Sequence, residues 1–313
     1  MISPTSLSFQ ESALTDQGLQ KKYQQLRSRL FSLGRVWIGF SGGVDSTLLL
    51  AIARDVLGKE NVFACLATGP SLSESEKNQA QALAQLLDAQ IIEYAATEFQ
   101  NPAYVANGPD RCFHCKADLF FHLDQFAKTF SENISLIDTT ATAKNSSGFL
   151  LYGGNADDTH DFRPGRRAAL KFGALAPLAE AGLTKLEVRA LSTAFGLPTA
   201  DKAAQPCLSS RIPYGNSVTA EKLAMVEAGE ELLSKLGFTE YRLRHFGELA
   251  KIEVRLEEMH LFEKVFADEK LESEFFRGFN EIGFTQVEID PAGFRSGSLN
   301  QVLTEAEKLQ AGG

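Results

Sequence analysis

The sequence predicts an α/β fold: a parallel, doubly wound sheet followed by a second, smaller α/β unit. Three observations carry this. Short apolar runs alternate with helix-period segments through the first half of the chain, which calls for parallel strands joined by helical crossovers. The first of those runs leads at once into a glycine turn and another helix. Beyond a stretch rich in proline, serine and small residues, polar and apolar residues alternate in two further runs, the period of a strand.

Taken in order, a helix over about Leu19–Leu33 precedes Arg35–Phe40, a largely apolar run bounded by glycines and so a strand buried on both faces. The alternation continues through Asn61–Ala67, a helix over Glu74–Leu87, Gln90–Tyr94, a helix after Cys115, and strands at Ile134–Ile137 and Phe149–Tyr152. The last ends in Gly153-Gly-Asn-Ala-Asp-Asp158. Open sheets of this kind hold ligands beyond the carboxyl ends of their strands, so the site is expected at that edge. Leu197–Tyr214 reads as a long loop, which in a compact domain is usually functional or disordered, and its content argues for function. A helix over Thr219–Leu236, strands at Tyr241–Phe246, Lys251–Arg255 and Gln286–Ile289, and a charged, phenylalanine-rich helix over Glu257–Phe279 make the second unit. That last helix suits core packing or a subunit contact, and the chain is expected to self-associate. The expected division is residues 1–200, a cysteine-bearing loop 201–217, and 218–313.

With 313 residues, 44% of them hydrophobic, the chain can bury a sizeable core. No apolar run approaches the roughly 20 residues of a membrane span, and the opening residues are not signal-like, so a cytoplasmic protein is expected. A net charge of −9 argues against broad nucleic-acid binding. Four cysteines are too few for a disulfide scaffold and suit a reducing compartment, where clustered thiols bind metal or react.

Ser41-Gly-Gly-Val-Asp-Ser46 lies between a buried strand and an apolar helix, so its backbone N–H groups converge at a helix N-terminus and make an anion site. Gly42 and Gly43 allow close approach to a phosphate, while Ser41, Ser46 and Thr47 add hydroxyl donors. Asp45 is placed to hold magnesium or to orient the loop. The Gly-Lys-Ser/Thr ending of a Walker loop is absent.

Arg111-Cys-Phe-His-Cys-Lys116 sets two thiols three residues apart at a helix start, where the dipole and the flanking cations favour thiolate. Cys207 adds a third thiol in the long loop, with Arg211 near enough to lower its pKa or bind phosphate. Three thiolates match an iron–sulfur cluster with one open iron position; a zinc site would need a fourth ligand, for which His114 or His160 would serve, and free thiols are the remaining alternative. Cys65 lies inside an apolar strand and reads as a packed small hydrophobe.

Phe40-Ser-Gly-Gly-Val-Asp-Ser46 resembles the pyrophosphate loop of the N-type ATP pyrophosphatases, a superfamily with the adenine nucleotide alpha hydrolase-like fold that includes NAD synthetase and tRNA-thiolating enzymes. The resemblance implies cleavage of ATP between the α- and β-phosphates and transfer of AMP to a substrate oxygen. Together with Asp110–Lys116, Tyr152–Asp158, Arg163-Pro-Gly-Arg166, Pro206–Arg211 and Gly293-Phe-Arg-Ser-Gly-Ser298, the loop resembles the LarE family of sulfur insertases in nickel-pincer nucleotide synthesis, over about Leu19–Asn300. That resemblance implies ATP and Mg2+, a pyridinium-3,5-biscarboxylic acid mononucleotide as substrate, and sulfur displacing AMP from its adenylated carboxylates. In one type of member the residue matching Cys207 gives up its own sulfur. In another, three thiolates hold a 4Fe–4S cluster that carries an added sulfide from a sulfur donor. With Cys112 and Cys115 beside Cys207 this chain resembles the second type, and surrender of sulfur by Cys207 itself is the alternative.

On the same resemblance, Ser41, Gly42, Gly43, Asp45, Ser46, Gly154, Asn155 and Asp157 are expected at the nucleotide. Arg163, Arg166 and Arg167 follow the Asp157–Asp158 pair, which would bind magnesium or cap a helix. Arg242 and Arg244 share one strand face, with Glu253 and Arg255 placed to pair across it; they form either a phosphate pocket, which Glu230 or Glu231 would join, or a solvated face. Arg295 sits among glycines that allow close approach to a ligand. Cys207, Asp45 and Arg211 are the expected catalytic residues. The rival readings are an amide-forming ligase, which lacks an evident ammonia source here, a tRNA thiolase, against which the acidic balance counts, and a non-catalytic nucleotide or metal sensor.

Overall fold

The computed structural model describes residues 16–135, 147–159, 163–295 and 302–312. Asp16 caps the first helix, α1 (Gln17–Leu33), by accepting from the amides of Gly18 and Leu19 at 2.7 and 3.1 Å. Leu19, Tyr23, Leu26, Leu30 and Leu33 recur at helical spacing and bury one face. Strand β1 (Val36–Gly39), helix α2 (Val44–Leu57), strand β2 (Val62–Thr68), helix α3 (Glu74–Leu86) and strand β3 (Gln90–Ala95) follow, then the short α4 (Pro102–Val105), the long α5 (Arg111–Ser135) and strand β4 (Phe149–Tyr152).

These strands form one parallel sheet in the order β3-β2-β1-β4. Period-two alternation sorts its side chains. Val36 and Ile38 of β1, Val62, Ala64 and Leu66 of β2, and Leu151 of β4 pack with α1, α2 and α3 on one face. Trp37, Phe63, Cys65 and Leu150 pack with Leu119, Phe120 and Leu123 of α5 on the other. Cys65 is a packed residue of this second layer, its thiol pushed far up by burial. Both faces being covered explains why the strands read as unbroken apolar runs.

Ile134 and Ser135, read from sequence as the start of a strand, belong to the last turn of α5; Leu136 and Ile137 lie outside the described residues. Helices α6 (Gly165–Lys171), α7 (Pro177–Glu180) and α8 (Lys185–Ala194) complete this half. In the remainder, α9 (Ala220–Lys235) packs on a three-stranded sheet of β5 (Tyr241–Phe246), β6 (Leu249–Val254) and β7 (Gln286–Ile289), antiparallel between β5 and β6 and parallel between β6 and β7. The helix expected over Glu257–Phe279 is two helices, α10 (His260–Phe266) and α11 (Glu269–Ile282). Asp268 separates them, its carboxylate accepting from the amides of Lys270 and Leu271 at 2.9 and 3.2 Å and restarting the helix as an N-cap. Their phenylalanines are mainly core: Phe262, Phe275 and Phe279 are buried with Phe284. A last helix, α12 (Glu305–Gly312), is tied to α6 by Arg167, which donates to the carbonyls of Gln310 and Ala311. No helix among the described residues is long and apolar enough to cross a membrane.

Candidate functional site

Strand order decides where a ligand fits. Successive strands step from β1 through β2 to β3, whereas β4 returns to the other side of β1, so the loops after β1 and β4 diverge from adjacent strand ends. Gly39 and Tyr152 are register partners, which brings Ser41–Ser46 and Gly153–Asp158 side by side. A Cβ on Gly153 would stand 2.8 Å from the Ser46 nitrogen. Gly42 adopts φ +67°, and a Cβ there would meet the Ala80 Cβ at 3.1 Å, so this turn fits only glycine under α3. Gly43 caps α2 without a side-chain hydrogen bond, leaving first-turn amides for a ligand. Ser46 Oγ donates to the Gly43 carbonyl at 3.2 Å and lies 3.3 Å from Ser41 Oγ.

Asp45 has neighbours that the sequence did not reveal. Its carboxylate takes an ion pair from Lys185 and a hydrogen bond from Asn155 Nδ2 at 3.1 Å. Asp157 accepts from the Lys185 amide at 2.8 Å, at the start of α8, and Asp158 accepts from the Asn155 amide at 3.0 Å while pairing with Arg163 at 2.9 Å. Asp157 and Asp158 thus make capping and ion-pair contacts, and the Asp45 carboxylate joins the glycine loop to α8 and to the loop after β4. A Cβ on Gly154 would strike the Tyr152 ring at 2.6 Å. Burial pushes the Tyr152 hydroxyl up and the charge of nearby Arg166 opposes it, so one member of the arginine group lies near the β4 end. Lys202, also not singled out from sequence, donates to the Gly42 carbonyl at 3.3 Å and pairs with Glu76 at 3.1 Å.

Glu76 and Ala203 begin a cleft of about 400 Å³ that opens between the two halves, lined also by Ser71, Cys207, Glu230 and Arg242. Lys202 thus stands between the glycine loop and this cleft. Cys207 is exposed at its wall, and Leu208, Ser209 and Arg211 behind it are buried.

Four buried arginines hold the backbone of this loop. Arg242 donates to the Ala204 carbonyl at 2.7 Å, Arg211 to those of Pro206 and Cys207, the latter at 3.1 Å, Arg111 to Ser209 at 2.7 Å, and Arg244 to Ser210 at 2.9 Å. Arg211 also makes a two-pronged pair with Glu230, at 2.8 and 3.0 Å, and Arg244 pairs with Glu253 at 2.7 Å. Arg211, expected to bind phosphate or tune the thiol, is engaged as a strut. Arg242 and Arg244 do lie on one face, but that face is buried under the loop, and Arg255 pairs outside it with Glu240. Burial, reinforced by neighbouring Arg211, pulls Arg242 down to about 10, and its guanidinium covers the Phe294 ring at 4.8 Å. Arg295 is half exposed, 3.9 Å from Asp290; its neighbour Gly293 spends its φ of +66° on a turn against Val254, and residues 296–298 of that motif lie outside the described residues.

Cys112 is exposed in the first turn of α5, and Cys115 packs against the core that contains Leu208. Burial pushes the Cys115 thiol up to about 12, and charge on Cys207 or Cys112 would push the same way, while Lys116 opposes. The thiolate expected from the helix dipole is therefore not the resting form of Cys115: desolvation wins. Both ring nitrogens of His114 are occupied, by Asp110 at 3.1 Å and Asn101 at 3.3 Å, and His160 lies outside the described residues. Among the described residues no three His, Cys, Asp or Glu side chains converge on a single ion.

The sequence profile of the NAD synthase family matches residues 19–106, the segment that carries the glycine loop. An uncharacterized protein of Synechocystis is 40% identical over 92% of this chain and 100% of its own length. The pyridinium-3,5-bisthiocarboxylic acid mononucleotide synthase of Lactiplantibacillus plantarum is 34% identical over 92% of this chain and 97% of its own. The chain belongs to the LarE family. As a LarE-family protein with a pyrophosphate loop of the NAD synthase type, it is an ATP-dependent enzyme, and the loop implies ATP with Mg2+. An uncharacterized protein of Methanocaldococcus jannaschii is similar at 25% identity over 88% of the chain and 98% of its own length.

Proposed function

We propose that this chain adenylates the carboxylates of pyridinium-3,5-biscarboxylic acid mononucleotide and converts them to thiocarboxylates, with sulfur delivered at Cys207. The observation that carries the reading is the cleft itself: an exposed thiol on a fixed backbone lines the same cavity as Glu76, whose ion-pair partner Lys202 reaches the Gly42 carbonyl of the pyrophosphate loop. A substrate carboxylate oxygen attacks the α-phosphorus of ATP, and pyrophosphate leaves. The Gly42–Ser46 amides take the phosphate charge, and Lys202 and Lys185 add cations beside them. Sulfur then attacks the acyl carbon and AMP departs, its negative charge returning to the same donors.

Three thiols around Arg111 and Lys116 suit a 4Fe–4S cluster, whose corners spread its ligands farther apart than a single ion does. Cys112, Cys115 and Cys207 would hold it, and when bound it supplies an open iron able to carry inorganic sulfide. Cys207 alone would otherwise surrender its own sulfur, which leaves the protein lighter by one hydrogen sulfide.

Incubation with ATP, magnesium and the pyridinium mononucleotide, following AMP and product mass, tests the reading. Cys207→Ala should abolish thiocarboxylate formation and retain pyrophosphate release. Thiocarboxylate formed at the wild-type rate by that variant would refute it.

A further inference from the structure

Arg111 is the first residue of α5, directly before Cys112, and is buried to 5% exposure. One of its nitrogens, Nη1, donates both to Asn107 Oδ1 and to the Ser209 carbonyl, each at 2.7 Å. Its guanidinium lies over the Tyr214 ring at 5.8 Å. Asn107 in turn donates to the carbonyls of Pro213 and Asn216 at 2.8 and 2.9 Å, so the far end of the cysteine loop is tied to the same point. Of the four arginines that grip the loop, Arg111 alone sits on the cysteine-bearing helix; the others belong to the loop itself or to β5. On one side it fixes the turn Leu208–Arg211 that follows Cys207, and on the other it begins the helical turn that carries Cys112 and Cys115.

We propose that Arg111 is a positioning residue that sets the spacing between the Cys112/Cys115 helix turn and the Cys207 loop, so that three thiols present themselves to one acceptor. The inference rests on the reading of a shared three-thiol site. A guanidinium suits the task because it carries its charge at any physiological pH and spends its donors on carbonyls, leaving the sulfur atoms unengaged.

Anaerobic cluster assembly tests the spacing without ATP or substrate. Apo protein is incubated with equal parts of ferrous and ferric iron and with sulfide, which together make the cluster with no added oxidant, then desalted and analysed for iron and acid-labile sulfide. Cys65 is fully buried and does not compete. Wild-type protein should retain about one cluster's iron and sulfide per chain. Arg111→Gln should retain less than about a tenth of that, and Tyr214→Leu, which removes the ring but keeps the hydrogen bonds, should retain the cluster but surrender it to a chelator roughly tenfold faster. A melting curve and retained ATP binding establish that each variant is folded; should Arg111→Gln not fold, Tyr214→Leu carries the test. Clusters held at the wild-type level and rate in the folded variants overturn the role of Arg111. No iron or sulfide retained by the wild type overturns the shared-thiol reading itself, and this inference with it.

Discussion

Replacing Arg211 by methionine separates what this residue does for stability from what it does for chemistry. Its side chain is 4% exposed and that of its partner Glu230 is 12% exposed, so deletion of the guanidinium strands a nearly buried carboxylate. Breaking a buried pair from one side costs about 3–5 kcal/mol. For a chain of this size, at roughly 2 °C per kcal/mol, the melting temperature should fall by about 6–10 °C. Adding Glu230→Gln removes the stranded charge and keeps an acceptor for the Leu243 amide, which now lies 3.1 Å from Glu230 Oε1. More than half of the lost stability should return in that double variant. Sulfur transfer should not return. Pro206 and Cys207 are exposed, so their carbonyls take up water at little cost once Arg211 is gone, and the thiol loses its fixed position. Thermal melts and thiocarboxylate yield, measured on both variants, decide the matter. Full transfer activity in the double variant would refute the claim that Arg211 positions Cys207.

Three further outcomes are expected. Gly42→Ala places a side chain at φ +67° and 3.1 Å from Ala80, costing about 1–2 kcal/mol and weakening ATP at least tenfold by calorimetry, whereas Gly34→Ala, at φ +73° with nothing within 4 Å, should lose similar stability and bind ATP normally. At pH 8, brief iodoacetamide treatment and peptide mapping should find Cys112 and Cys207 alkylated and Cys115 spared, because a thiol at about 12 supplies almost no thiolate. His245 is held below its ordinary pKa by burial, with Nδ1 accepting from the Gly247 amide at 3.2 Å. Its contribution to stability is present above the unfolded value near 6.5 and is lost as pH falls toward the lowered one. The melting temperature of His245→Gln should therefore decline less steeply than that of the wild type between pH 7 and 5.

The sheet and the glycine loop were legible because local pattern determines them. A four-residue apolar strand such as Val36–Gly39 shows its burial on both faces in composition alone. Ile134-Ser-Leu-Ile137 has the same look, yet its first two residues end a helix, since so short a run fits either period. The cysteine loop was legible as a site, but its supports were not. That Arg242 and Arg244 share a face follows from strand geometry; that the face grips carbonyls 38 and 34 residues earlier depends on how β5 meets the loop. Lys185 and Lys202 give no signal at all. Each is a lone surface-type cation whose importance comes from the Asp45 carboxylate and the Gly42 carbonyl that the fold brings to it.

The arginine grip on residues 204–210 also makes the loop's shape a property of the whole chain. Its struts come from α5, from β5 and, through Glu230, from α9, elements that lie on both sides of the loop in sequence. An engineered transplant of the loop alone onto another nucleotide-binding sheet would therefore carry the cysteine without its aim.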